Sequence, residues 1–323
     1  MNRESIISLL GSNWTAFQGL IREALQSDIT LLEKVNADLL ANGGKQIRPM
    51  ISLLVSCALG QPCEESVAFA AATEILHNAT LYHDDVADSS SLRRGKPTLS
   101  ALVGPSTAVL IGDFWISRAV RQVMSRLHQL DAIKLFSKTL SDLAEGEMLQ
   151  LQMASDVSTT EQDYLRIIYC KTASLFETAC RLAAVSVEAP QELLDAAGRY
   201  GAAVGIAFQI RDDIFDYLQV EIGKPVGLDL REQKITLPLL GALAGQPEEV
   251  RQRIREQVRQ IPGKPEYCGQ IQRFALENGG VEYASRRLGD YIAEAESALA
   301  AFPASPFRDA LTELARYNAV RTI

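Results

Sequence analysis

Residues 67–82, VAFAAATEILHNATLY, run without a break into HDDVAD at 83–88, and this stretch decides how the chain folds. Apolar and small residues cover most of the circumference of a helix drawn through 67–82. A helix of that kind, with no single apolar stripe, sits in the centre of a bundle. The same arrangement returns at residues 202–210, AAVGIAFQI, which lead into RDDIFD at 211–216. At helical spacing Asp84 and Asp88 share a face, as do Asp212 and Asp216, so each cluster can offer two carboxylates to one hard cation.

Outward from these two stretches, apolar residues recur at three- and four-residue intervals almost throughout, with abundant Ala, Leu, Ile and Glu. The period predicts an all-α fold. Breaks are expected at Gly60-Gln61-Pro62, Gly104-Pro105, Ala189-Pro190, Gly245-Gln246-Pro247 and Ile261-Pro262-Gly263. No repeat of fixed period and no linker rich in Gly, Pro or Ser interrupts the pattern, so residues 1–323 are read as one helical domain.

A net charge of -8 argues against broad nucleic-acid binding, which needs a basic face to displace counterions. The five cysteines, Cys57, Cys63, Cys170, Cys180 and Cys268, show no CxxC spacing and support neither a disulfide framework nor a zinc site. The N-terminus lacks a basic segment followed by an apolar core, and no stretch reaches membrane-spanning length. The expected location is the cytoplasm, with at most peripheral membrane contact.

One aspartate motif alone is weak, because a short acidic run is more often a solvated helix end. Two of them, each ending a strongly apolar helix, are different: the carboxylates would repel one another unless a cation stood between them. Mg²⁺ prefers one or two carboxylates completed by water and substrate phosphates. Short basic motifs accompany the aspartates: Lys45 and Arg48, Arg93 to Lys96, Lys171-Thr172, Lys224 and Lys234. In an acidic chain, that pairing points to two polyphosphate groups, one held by metal and one by Arg and Lys. His77 lies seven residues before Asp84, nearly two turns, and is expected to point the same way.

Five segments, GGKQIRP (43–49), HDDVADSSSLRRGK (83–96), YCKTASLF (169–176), FQIRDDIFDY (208–217) and GKPVGLDLREQKITLPLL (223–240), resemble in order and spacing the signatures of the trans-polyprenyl diphosphate synthases. The resemblance implies a bundle of the isoprenoid synthase type with a central cavity. It implies that Asp84, Asp88 and Asp212 bind Mg²⁺, with Asp85, Asp213 and Asp216 in support and Asp213 and Asp216 counted among the metal residues. Lys45, Arg48, His77 and Arg94 match its isopentenyl diphosphate site. Arg93, Lys171, Lys224 and Lys234 match the allylic diphosphate site, and Thr172, Phe208 and Gln209 flank the reacting carbons. Family members act as homodimers. The chain departs from the short-chain members in lacking a basic cluster at its C-terminus, where only Arg321 is charged near the end.

The implied reaction is ionisation of an allylic diphosphate, such as farnesyl or geranylgeranyl diphosphate, followed by attack of isopentenyl diphosphate and loss of a proton. A long product of the octaprenyl or heptaprenyl kind, serving quinone side chains, is expected. A tail anchored at the first motif would pass Thr80, Ala79 and Leu76, and the first two of these are small. The alternatives are a geranylgeranyl diphosphate synthase, a terpene cyclase and a non-catalytic synthase subunit.

Overall fold

Both apolar stretches form helices long enough to carry their aspartates. In the computed structural model, which describes residues 2–41, 44–93, 95–125, 130–218 and 227–320, the first is Glu64–Ala87 and the second Gln191–Tyr217. Apart from a two-residue antiparallel pair, Leu92–Arg93 with Lys96–Pro97, the regular elements of the described residues are helical. The all-α expectation holds. Helix boundaries fall at the expected Gly60–Pro62, Gly104-Pro105, Pro190 and Gly245–Pro247 punctuation.

The chain divides into two compact units. The first comprises residues 1–138, 175–201 and 298–314, and the second residues 139–174, 202–297 and 315–323. Every one of these boundaries with described flanks lies inside a helix.

In the first unit, helix Glu64–Ala87 starts with a reciprocal cap. Cys63 N–H donates to Ser66 Oγ at 3.1 Å, and Ser66 Oγ is 2.6 Å from Ser186 Oγ, which ties the cap to helix Ser174–Ser186. Residues 66–76 of this helix are buried, and it packs chiefly against helix Pro105–Met124. The contact is close because Gly112 carries no side chain where His83 lies: a Cβ there would be 2.2 Å from His83 Nε2. Trp115, fully buried on the same helix, meets the Tyr82 ring edge-on at 5.3 Å and donates its Nε1 to Asn36 Oδ1 at 2.9 Å.

The second unit holds Glu161–Ile168, begun by a Thr160/Asp163 capping box, which passes directly into a π-helical turn at Tyr169–Ala173. The C-terminal part of Gln191–Tyr217 buries Ala207, Ile210, Ile214 and Tyr217 in a core completed by Leu230, Leu237, Leu239 and Ile254. No helix of the described residues is long and apolar enough to cross a membrane.

Gly201 sets how closely its helix approaches Ser174–Ser186 in the first unit. A Cβ at this position would lie 2.5 Å from Phe176 O and 2.8 Å from Glu177 Cα, both backbone atoms that cannot swing aside. Gly201→Ala is therefore expected to force the helices apart and to lower stability by about 1–3 kcal/mol. The check is the midpoint of urea unfolding, which should fall with the slope unchanged.

Candidate functional site

In the first unit, Asp84 lies in the last turn of its helix and Asp88 caps the end, with Asp88 N–H donating to Asp84 O at 2.8 Å. Asp84 is half-buried and Asp88 exposed. Asp85 turns the other way: it is 3% exposed and takes Arg93 Nε at 2.7 Å. Burial pushes the Asp85 carboxyl up, and the hydrogen bond and charge of Arg93 pull it back. Arg93, assigned by resemblance to the allylic diphosphate, is thus held by Asp85 while its side chain stays 38% exposed. His77, Thr80 and Leu81 remain half-buried along this helix, whereas Leu76 and Ala79 have no exposed surface. Of the three residues expected beside a growing tail, only Thr80 is presented.

Lys45 is exposed, and its carbonyl accepts from Arg3 Nε at 3.4 Å. The guanidinium of Arg48 stacks on the Phe176 ring, 4.4 Å from its centroid. Arg94 and Lys224 lie outside the described residues.

The second motif, in the second unit, repeats the division. Asp212 is exposed, and Asp213 is 4% exposed with both carboxylate oxygens engaged. Tyr164 donates to Oδ2 at 2.7 Å and Gln209 Nε2 to Oδ1 at 2.8 Å. Burial, and then nearby Asp229, push the Asp213 carboxyl well above its ordinary range, and these two donors oppose that rise. Asp216 accepts three backbone N–H groups, those of Gly227 and Leu228 on Oδ1 and Asp229 on Oδ2, each at 3.1 Å. Asp213 and Asp216, which the resemblance counts among the metal residues, thus accept two and three protein donors respectively.

Lys171 and Thr172 sit on the π turn. Such turns are rare and recur at functional sites. Lys171 pairs with Glu147 and donates to Gln150 Oε1 at 3.0 Å, and Thr172 donates to Gln209 Oε1 at 2.9 Å. Phe208, next to Gln209, is half-buried, and Lys234 pairs with Glu232. Tyr164, Glu147 and Gln150 were absent from the residues read from sequence. No spacing rule points to them, because their partners lie on other helices.

Among the described residues, no group of three or more His, Cys, Asp or Glu is gathered into a metal cage. The donors present, oxygen atoms of one or two outward carboxylates per motif, suit a cation whose shell is completed by phosphate and water.

The three N–H bonds at Asp216 hold residues 227–229 against the helix end. Asp216→Ala is expected to speed hydrogen exchange at the Leu228 and Asp229 amides by about tenfold or more, on the scale of one lost charge-assisted hydrogen bond, and less at Gly227, whose N–H keeps the Asp216 main-chain carbonyl as acceptor. Asp212→Ala should leave those amides unchanged.

Residues 29–273 match the polyprenyl synthetase family. The octaprenyl diphosphate synthase of Escherichia coli (strain K12) is 38% identical over 318 residues, 98% of each chain. A decaprenyl diphosphate synthase from Rhodobacter capsulatus superposes with a TM-score of 0.91 at 34% identity over 98% of both chains. A polyprenyl synthase from Caulobacter crescentus CB15, complexed with calcium and isoprenyl diphosphate, gives 0.90 at 34% identity, covering 100% of this chain and 98% of that one. Because the match takes in both aspartate motifs, the π turn and the helix that carries Arg48, this chain belongs to the polyprenyl synthetase family.

Proposed function

We propose that the chain is a Mg²⁺-dependent trans-prenyltransferase that condenses isopentenyl diphosphate with an allylic diphosphate, such as farnesyl or geranylgeranyl diphosphate. Repetition gives a long-chain all-trans polyprenyl diphosphate of the kind used for quinone side chains. The observation that carries this reading is the division within each motif: Asp84 and Asp212 turn outward while Asp85 and Asp213 are buried and paired.

When bound, Mg²⁺ supplies the positive charge that draws the diphosphate off the allylic carbon. Asp84 and Asp88 of the first motif and Asp212 of the second would be the carboxylates that hold such ions, with Asp85 and Asp213 fixed behind them and Asp216 shared with the loop that it caps. Arg93, Lys171 and Lys234 bind the departing diphosphate, and Lys224 joins them by resemblance. Lys45, Arg48 and His77, with Arg94 by resemblance, bind the isopentenyl diphosphate. Thr172 and Gln209 turn oxygen dipoles toward the allylic cation, and Phe208 helps to exclude water that would quench it. By resemblance, the protein works as a cytoplasmic homodimer. A geranylgeranyl diphosphate synthase is the second reading; the small, half-buried Thr80 favours the longer product.

Purified protein incubated with isopentenyl diphosphate, farnesyl diphosphate and Mg²⁺ is expected to yield products longer than geranylgeranyl diphosphate on chromatography. Failure to consume isopentenyl diphosphate would sink the reading. Asp84→Ala and Asp212→Ala should each lower kcat/KM by at least ~10²-fold while helical circular dichroism is retained, because each removes an outward charge and opens no cavity. Thr80→Phe is expected to shorten the product. Ala79→Phe, by contrast, places a ring where no surface is exposed and should appear first as a loss of stability.

A further inference from the structure

Tyr164 has no part in the reaction as described, yet it begins a chain of hydrogen bonds that ends at the reacting groups. Its hydroxyl, on a side chain 3% exposed, donates to Asp213 Oδ2 at 2.7 Å. Gln209 Nε2 donates to Asp213 Oδ1 at 2.8 Å, and Thr172 Oγ1 donates to Gln209 Oε1 at 2.9 Å. The direction of the chain matters, because the two ends of an amide are nearly the same shape and only their partners tell them apart. The Tyr164 phenol carries one O–H, and that hydrogen goes to Asp213. With Asp213 Oδ2 taken by Tyr164, Oδ1 takes the Nε2 of Gln209, which leaves Oε1 on the side of Thr172.

The π turn brings these four side chains into register. Eight residues after Tyr164 in a regular α-helix, Thr172 would lie about 80° around the axis from it. A π turn absorbs one extra residue, so eight residues span what seven would, and the offset falls to about 20°. Gln209 and Asp213 are four apart on Gln191–Tyr217 and share a face. The earlier residue of one helix therefore meets the later residue of the other, and two polar contacts form side by side. Room for the turn comes from Gly146, where a Cβ would lie 2.6 Å from Cys170 Cβ and 3.1 Å from Lys171 N.

We propose that Tyr164 is a positioning residue for prenyl transfer: through Asp213 it fixes the Gln209 amide so that Gln209 Oε1 and the Thr172 hydroxyl oxygen face the reacting allylic carbons. Asp213 serves this relay and is not a metal ligand. The inference rests on the reaction proposed above and names a part of its machinery that the motif reading did not.

The test compares kcat, both KM values, the Mg²⁺ concentration for half-maximal rate and the thermal melt in four proteins: wild type, Tyr164→Phe, Asp213→Asn and the double variant Asp213→Asn with Gln209→Glu. Tyr164→Phe should lower kcat by about 10- to 100-fold, the scale of a small misplacement at a reacting centre, with both KM values and the Mg²⁺ requirement unchanged. Asp213→Asn should lower kcat similarly, because its amide offers one acceptor oxygen where two donors, Tyr164 and Gln209, compete for it. In the double variant the new Asn donates to the new Glu, which again accepts from Thr172, and kcat should recover by about tenfold over the single variant. This rescue decides the matter even if Tyr164→Phe folds poorly. Wild-type kcat in Tyr164→Phe overturns the proposal. So does a raised Mg²⁺ requirement in Asp213→Asn that the double variant does not relieve, since a lost metal ligand cannot be restored by a neighbouring exchange of amide and carboxylate. Wild-type protein that consumes no isopentenyl diphosphate would overturn the reaction itself, and is recognised before any substitution is made.

Discussion

Two adjacent carboxylates on a helix cannot face the same way, because successive side chains are turned by about 100°. On a helix packed on most of its circumference, one of the pair is driven inward. A buried carboxylate without a partner is destabilising by several kcal/mol, so each inward aspartate has recruited donors. Asp85 takes Arg93; Asp213 takes Tyr164 and Gln209. The outward members, Asp84 and Asp212, keep the exposure that a cation needs. The requirement to satisfy the hidden carboxylate thus also fixes the groups around the visible one.

That requirement reaches further through the second unit. Gln209 is held by Asp213 and in turn accepts from Thr172, whose position depends on the π turn. On the same turn, Lys171 is steadied by Glu147 and Gln150. Asp216 meanwhile gathers three backbone N–H groups at the start of the short helix Leu228–Arg231. A threonine, a glutamine and a loop are therefore held in place by two neighbouring aspartates, Asp213 and Asp216, and a lysine by Glu147 and Gln150, with little left to side-chain chance.

Much of this protein was determined by its sequence alone. The all-α class, the two aspartate-bearing helices and the shared face of Asp84 and Asp88 follow from period and spacing, which are local properties of a helix. The family followed from motifs in order, since each motif is a contiguous run. Other features arose only in the tertiary structure. No linker between the two compact units was legible, because their boundaries fall inside continuous helices such as Gln191–Tyr217. Thr80 and Ala79 looked alike as small residues, but packing against neighbouring helices sealed Ala79 and left Thr80 presented. The counts that relate Tyr164 to Thr172 fail because a π turn intervenes, and its presence depends on what packs against it, including Gly146. Which aspartate of each pair faces outward and which is turned inward was likewise decided by packing: the sequence sets the angle between two side chains, and only the neighbouring helices set which of them meets solvent.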